Sequence, residues 1–164
     1  MTQYNIIAES QEYTVVAEFD HVATPAEAYQ SEADLEKEFI RLLGEQGYEY
    51  LPIHKEADLI FNLRDQLEKL NHYHFTDNEW EHFFNECIAN KNDDIGAKTA
   101  KIQDDYIQVL KRDTGESQNI KLIDKDNIHN NFVQVINQYV EEGGNYDTRY
   151  DVSILVNGLP LVHI

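Results

Sequence analysis

Hydrophobic and polar positions follow a helical period in the first half of the chain and mostly a strand period in the second. Apolar residues at helical spacing predict a helix that begins either after Thr24-Pro25 or at Ser31 and ends near Gly47. Residues 59–70 keep this spacing, and Thr76 to Glu79 form a capping box that opens another helix. The middle of the chain is therefore predicted to be helical.

Five short runs have the alternating, β-branched pattern of strands instead. They are residues 6–7, 14–19, 106–110, 120–123 and 132–136. We expect a β lead-in at residues 1–23, followed by a core at residues 24–164 with a helical insertion over about residues 56–95. The sequence contains no internal repeat and no flexible linker, which favours a single domain.

The last sixteen residues, Arg149 to Ile164, form the clearest local pattern in the chain. Two apolar runs flank Asn157-Gly158, and Asn-Gly between such runs is the strongest short-range signal for a β-hairpin. Asp151 is the one charged residue at the start of the first run, where an unpaired buried charge would be costly. Asp151 is either an exposed residue at a strand end or half of a metal site.

The first predicted helix also carries a carboxylate in an unexpected position. Its apolar arc consists of Leu35, Phe39, Ile40, Leu42 and Leu43. Glu36 falls inside this arc, and Glu32 lies one turn earlier on the same side. Each glutamate could extend to solvent at the edge of the arc, or Glu32 could favour the positive end of the helix dipole. The alternative for Glu36 is a carboxylate that faces the core, as a metal site requires.

Composition and charge limit the function classes. The chain has 164 residues, of which 41% are hydrophobic, as expected of a folded domain with a sizeable core. Its 31 acidic and 13 basic residues give a formal net charge of −18. Such a charge argues against a free-standing nucleic-acid binder, which needs a basic face for phosphate contacts. It fits an acidic interaction module, a DNA mimic or one part of a larger assembly.

The cellular compartment is indicated by what the sequence lacks. Cys87 is the single cysteine, so a disulfide framework and a thiolate metal cluster are excluded. No apolar run approaches the ~20 residues of a membrane span, and the first residues do not have the layout of a secretory signal. We expect a cytoplasmic protein without a membrane partner. No Gly-rich phosphate loop is present, so a nucleotide site is not predicted.

The residues from Arg149 to Ile164 resemble the nuclease motif of the R subunit of type I restriction-modification enzymes. Residues 31–43 with Gly47-Tyr48 resemble the opening helix of the same family. Residues 71–80 and 123–126 are also similar to it, so the resemblance covers nearly the whole chain. It implies an α/β fold with a PD-(D/E)xK restriction-endonuclease-like core, in which helices flank a mixed sheet.

The resemblance also implies the site residues. The aspartate of the family's motif maps onto Asp151, and its Glu-x-Lys is expected at positions 165 and 167, so this chain would stop just before it. An additional glutamate from the first helix is common in the superfamily. Spacing back from Gly47-Tyr48 places it at Glu36 and not at Glu32, in agreement with the apolar arc. Asp151 and Glu36 are thus the predicted catalytic and metal-binding residues.

The implied function is Mg²⁺-dependent hydrolysis of DNA phosphodiester bonds by the intact subunit. In the resembled family the nuclease is fused to an ATP-driven DNA translocase and assembles with methylation and specificity subunits. ATP would serve the translocase alone, which this chain does not contain. We expect the 164-residue chain by itself to be inactive.

The position of Asp151 opposite position 165 also predicts the turn of the hairpin. A two-residue loop would pair Asp151 with Ile164, and a slip by one residue moves every side chain to the other face. A three-residue loop centred on Gly158 pairs positions 151 and 165. It predicts one apolar face with Val152, Ile154, Val156, Val162 and Ile164, and another face with Asp151, Ser153 and His163.

Two other functions fit the sequence. A non-catalytic acidic module, acting by protein docking or as a DNA mimic, would leave Asp151 and Glu36 as separate surface charges. A repair or resolvase-type nuclease could use the same core motif. The separation of the two carboxylates distinguishes the first alternative, because ligands of one metal ion lie within about 8 Å of each other, given ligand bonds of ~2.3 Å.

Overall fold

A computed structural model describes most of the chain. The described residues are 6–9, 14–16, 31–141 and 148–164. They form two units, one before Leu35 and one from Leu35 onward. In the first, the two predicted strands are present as β1 (Ile6–Glu9) and β2 (Thr14–Val16), and they pair antiparallel. The remainder of the second predicted strand lies outside the described residues.

Helix α1 spans Glu32–Glu45 and uses the later of the two predicted starts. The hydroxyl Oγ of Ser31 accepts a hydrogen bond from the backbone N–H of Asp34 at 3.2 Å, which satisfies a donor of the first turn. The alternative start at Thr24-Pro25 lies outside the described residues. After the helix, Gly47 has a φ of +92°, as expected where a helix ends in a left-handed residue.

The side of α1 that faces the sheet is narrower than the predicted arc. It consists of Glu36, Phe39, Ile40 and Leu43, which share one stripe at helical spacing. Leu35 and Leu42 were expected in the core, but they are 53% and 42% exposed. Only one stripe of a straight helix can contact a sheet, and here Glu36 belongs to that stripe.

The main sheet has four strands in the order β3-β6-β7-β8. They are β3 (Glu49–Tyr50), β6 (Val133–Glu141), β7 (Thr148–Val156) and β8 (Leu159–His163). β3 is parallel to β6, and the other two pairs are antiparallel. The prediction of an α/β fold with helices and a mixed sheet is confirmed.

The turn between β7 and β8 is a two-residue turn, so the predicted three-residue turn is wrong. Val156 pairs with Leu159 on either side of Asn157-Gly158. Both turn residues have positive φ, 51° and 80°, as a type I′ turn requires. Asn157 tolerates this conformation because its buried side chain is fixed: Oδ1 accepts from the backbone N–H of Phe132 at 2.8 Å.

The register nevertheless changes a few residues after the turn. β8 contains one extra residue at Leu161, which forms a β-bulge against β7. Beyond the bulge, Ser153 lies opposite His163 and Ile154 opposite Val162. These are the neighbours that the three-residue turn was expected to produce, so their pairing is confirmed although the turn is not.

Both faces of the sheet are covered at β7. Val152 packs with Leu43 of α1 on one face. Leu155 packs with Ile53 and Ile136 on the other, and Ser153 is 1% exposed. The face assigned to Asp151, Ser153 and His163 is therefore partly a second core and not a purely polar surface.

The middle of the chain is helical and ends in a separate hairpin. It contains α2 (Glu56–Asn71), α3 (Asp77–Phe83), a π-helical turn (Phe84–Ile88), α4 (Ile95–Gln103), β4 (Ile107–Lys111) and β5 (Ser117–Lys121). The predicted capping box of Thr76 and Glu79 is present. Helix α4 was not predicted and extends the helical part beyond residue 95. Within the ranges that the structure describes, we find no helix whose length and hydropathy would suit a bilayer crossing.

Glu79 is a buried carboxylate that connects α3 to the β4–β5 hairpin. Its oxygens accept hydrogen bonds from Tyr73 Oη at 2.7 Å and from the backbone N–H groups of Thr76 and Asp113, each at 3.1 Å. Burial favours the neutral acid, but these donors together outweigh it and hold the pKa of Glu79 below its usual value. The ionised side chain therefore stabilises the fold.

We expect Glu79→Gln to lower the free energy of unfolding by about 2 kcal/mol at pH 7, because three donors lose a charged acceptor. A lowered pKa gives stability that is present above the unfolded value, near 4.5, and is lost as the pH falls through the folded value. The difference between variant and wild type should thus shrink below pH 4.5. Urea unfolding at pH 7 and pH 3 measures it, with exposed Glu81→Gln as the control; an equal loss at both pH values would contradict this role.

Candidate functional site

The carboxylate of Glu36 is directed at the sheet and is bound by two side-chain amides. Asn137 Nδ2 donates to Oε1 at 2.5 Å, and Gln138 Nε2 donates to Oε2 at 2.6 Å. Tyr50 Oη donates in turn to Asn137 Oδ1 at 2.8 Å. Glu36 thus does not extend to solvent at the edge of the helix. Glu32 is exposed in the first turn of α1, a favourable place for a negative charge.

The partners of Glu36 lie beside Asp151. In the β6–β7 ladder, Asn137 pairs with Val152 and Tyr139 with Tyr150, so Gln138 is level with Asp151. Residues level with each other on antiparallel strands have Cα atoms about 5 Å apart. Glu36 of α1 is thus hydrogen-bonded to the residue of β6 that lies opposite Asp151.

Asp151 is exposed and lies at an irregular position of β7. The backbone N–H groups of Asp151 and Val152 both donate to the carbonyl oxygen of Ile164, at 3.0 and 3.1 Å, and Ile164 N–H returns a bond to Val152 at 2.8 Å. Two residues opposite one is the arrangement of a β-bulge, which changes the direction of a side chain. The predicted pairing of Asp151 with position 165 concerns a residue outside this chain and stays a prediction.

Asp151 and Glu36 provide oxygen ligands of the type that Mg²⁺ prefers. Mg²⁺ usually binds one or two carboxylates and keeps several waters, so the two side chains fit part of such a site. Among the residues that the structure describes, no group of three or more His, Cys, Asp and Glu side chains is arranged to hold a metal ion. In the predicted set, a carboxylate at position 165 would be a further ligand.

Two other features of the described chain do not provide a competing site. A cavity of about 490 Å³ is lined by Cys87, Ile102 and Leu159 among others, but by no carboxylate or histidine. Burial raises the pKa of the Cys87 thiol, so its thiolate is disfavoured and the cysteine is a poor nucleophile. Cys87 packs against the hydrophobic core cluster of this part of the chain.

The sequence predicted Asp151 and Glu36 as site residues but did not predict the side chains that contact Glu36. Asn137, Gln138 and Tyr50 were not predicted to be part of the site. One signal was present: Asn137 and Gln138 are consecutive polar residues inside a strand pattern, where alternation predicts only one. Ser153 and His163 were placed on the face of Asp151, and the structure shows a 2.8 Å hydrogen bond between Ser153 Oγ and His163 Nδ1.

Comparisons with known proteins identify relatives of this chain. Residues 29–164 match a family model described as Type I restriction enzyme R protein N terminus. The chain is 44% identical over 159 residues to the Type I restriction enzyme EcoprrI endonuclease subunit of Escherichia coli, covering 96% of this chain and 50% of that protein.

Staphylococcal proteins are also similar. The identity is 37% over 141 residues to the Type I restriction enzyme SsaAORF53P endonuclease subunit of Staphylococcus saprophyticus, with 83% of this chain and 14% of that protein covered. It is 35% over 142 residues to the SauMSSORF170P endonuclease subunit of Staphylococcus aureus, with 84% and 15% covered. The chain therefore spans half the length of the E. coli relative and a much smaller part of the staphylococcal ones.

Proposed function

The chain belongs to the family of type I restriction enzyme R protein N termini, and from this premise we propose that it is the endonuclease region of such a subunit. The intact subunit would hydrolyse DNA phosphodiester bonds at a Mg²⁺ site on a PD-(D/E)xK core. Asp151 and Glu36 would be two of its ligands. DNA cleavage by the intact subunit, with and without the Asp151→Ala substitution, tests the proposal directly.

One observation carries the assignment of the two residues. The Glu36 carboxylate accepts hydrogen bonds from Asn137, which comes 101 residues later in the chain, and from Gln138. Gln138 is level with Asp151 on the neighbouring strand. An acidic docking module or DNA mimic does not explain why two amides hold the half-buried carboxylate of Glu36, or why one of them lies opposite the exposed Asp151. The repair or resolvase alternative has no support from the family match, which extends over residues 29–164.

The residues present suggest distinct roles. Asp151 is exposed and could approach the DNA backbone, whereas Glu36 is half-buried and has a fixed orientation. Asp151 would bind the cation directly, and Glu36 directly or through water. Mg²⁺ bound there would place positive charge next to the scissile phosphate and make a nearby water more acidic. The lysine expected at position 167 would stabilise negative charge that develops in the transition state.

The net charge of −18 fits this proposal if other parts of the assembly hold the DNA. We propose methylation and specificity subunits as partners, and an ATP-driven translocase elsewhere in the same subunit, as the family resemblance implies. A cytoplasmic location is part of the proposal. On this view the acidic region contributes the chemistry, and its affinity for DNA on its own is weak.

We expect the 164-residue chain alone not to nick supercoiled plasmid in the presence of Mg²⁺, because the proposed glutamate and lysine lie at positions 165 and 167. Agarose gels of plasmid incubated with the purified chain measure relaxed product over time. The matched control is the same chain with Asp151→Ala. Mg²⁺-dependent nicking that this substitution abolishes would show that residues up to Ile164 suffice, against the expectation.

A further inference from the structure

Gln138 has a backbone conformation that its place in the strand does not require. In the part of the chain that the structure describes, the non-glycine residues with positive φ are His72, Gln138 and Asn157. His72 ends helix α2, and Asn157 forms the β7–β8 turn, so both have an evident local reason. Gln138 lies within β6 at a φ of 55°. Such a conformation is costly for a residue with a Cβ and persists only where other contacts determine it.

The contact that this conformation makes possible is the one to Glu36. Consecutive residues of a regular strand point to opposite faces of the sheet. Asn137 and Gln138 are consecutive, yet both side-chain amides donate to the same carboxylate, at 2.5 and 2.6 Å. The left-handed backbone at Gln138 breaks the alternation and lets two neighbouring side chains bind one acceptor.

We infer that Gln138, with Asn137, is a positioning residue that fixes the orientation of the Glu36 carboxylate for cation binding. The inference rests on the proposed Mg²⁺ site. On this inference, residues of β6 make the hydrogen bonds that orient a metal ligand. Loss of such hydrogen bonds typically lowers the affinity for the metal by about 10–100-fold.

The chemistry of the two donors suits this role. A carboxylate has about four lone-pair sites, and the amides occupy one on each oxygen, which leaves one on each for a cation or a water. Amides are neutral, so they orient the carboxylate without cancelling the negative charge that a cation needs, as Lys or Arg would. Tyr50 Oη, which donates to Asn137 Oδ1 at 2.8 Å, fixes which end of that amide faces Glu36.

Mn²⁺ titration of the intact subunit with isotope-labelled side-chain amides, followed by NMR, tests the inference. In the wild type, Mn²⁺ should broaden the side-chain amide signals of Asn137 selectively, and Asp151→Asn should remove the effect. Gln138→Gly suits the left-handed backbone but deletes the amide. We expect it to raise the Mn²⁺ concentration for half-maximal broadening about tenfold, while the urea midpoint of unfolding stays unchanged or rises. Gln118→Gly, in β5, is the matched control and should leave the Mn²⁺ response unchanged.

The possible outcomes separate this inference from the function on which it rests. If Asp151→Asn removes the Mn²⁺ effect but Gln138→Gly does not weaken it, the site stands and Gln138 is only a structural residue. The inference is then overturned alone. If Mn²⁺ has no selective effect on the wild-type intact subunit, the proposed pair of ligands is overturned, and the positioning role with it.

Discussion

An intact subunit with Asp151→Ala is expected to cleave DNA about a thousandfold more slowly than the wild type, which corresponds to about 4 kcal/mol of lost transition-state stabilisation. Asp151 provides one of the two proposed carboxylate ligands in this chain. Without it, the cation that stabilises the developing negative charge is bound weakly or not at all. Since the side chain is exposed, the fold should tolerate its removal.

Linearisation of plasmid by the assembled complex, at fixed Mg²⁺ and ATP, measures this effect. Asp104→Ala is the matched control because Asp104 is also an exposed aspartate, at the end of α4. ATP hydrolysis should be unchanged in both variants, since the proposed translocase lies outside this region. Cleavage at the wild-type rate with Asp151→Ala would refute the assignment of Asp151 as a ligand.

Gly158→Ala is expected to destabilise the fold by about 3 kcal/mol, which combines left-handed strain with a steric clash. Gly158 has a φ of +80°, and a Cβ added there would lie 2.5 Å from Leu63 Cα and 3.0 Å from Leu63 N. The obstacle is the backbone of α2, which cannot move aside as a flexible side chain could. The substitution would therefore separate the β7–β8 turn from the helix.

Substitutions at two other glycines separate the cost of the left-handed backbone from the cost of the clash with Leu63. Gly115 has a φ of +86° with open space around it, so Gly115→Ala should show the cost of the left-handed backbone alone, about 1–2 kcal/mol. Gly44 lies inside α1 with open space around it and no positive φ, so Gly44→Ala should raise the free energy of unfolding by up to ~1 kcal/mol. Urea unfolding of the three variants gives the order of their free energies of unfolding. Equal losses for Gly158→Ala and Gly115→Ala would exclude the contact with Leu63 as a cause.

Elements that depend on neighbouring residues were predictable from the sequence. The start of α1 at Ser31 and the capping box of α3 are each made by side chains within three residues of the groups they bind. The β7–β8 hairpin likewise follows from Asn157-Gly158 and the flanking apolar runs. In such cases the sequence contains both partners of the interaction within one turn of chain.

Features that depend on distant residues were not predictable in the same way. The two-residue turn itself is what Asn157-Gly158 favours locally; the three-residue turn was predicted only to place Asp151 opposite position 165, and the bulge in β8 produces that register instead. The Asn157 side chain donates to the Leu122 carbonyl at 3.0 Å and accepts from Phe132 N–H at 2.8 Å, and a local pattern does not reveal these partners. Similarly, Leu35 lies in the apolar arc but outside the stripe that contacts the sheet, because the tilt of a helix depends on its tertiary neighbours.

The candidate site shows the same difference between features that depend on local residues and features that depend on distant ones. Asp151 was apparent as a charge in an apolar strand, and Glu36 as a charge in an apolar arc. Their role as metal ligands stays a proposal. The amides of Asn137 and Gln138 were missed because their shared contact with Glu36 depends on a left-handed residue inside a strand, which no propensity predicts.

The parallel pairing of β3 with β6 has a consequence for how the molecule folds. It joins Glu49 to Gln134, whereas β6, β7 and β8 follow one another along the chain. Closing a loop of that length costs roughly 4 kcal/mol of chain entropy, so this pairing should form late, after the local hairpins. Glu36 precedes the loop, and Asn137, Gln138 and Asp151 follow it. The two halves of the candidate site therefore meet only when nearly the whole unit has folded, and a partly folded chain would contain its carboxylates without the site.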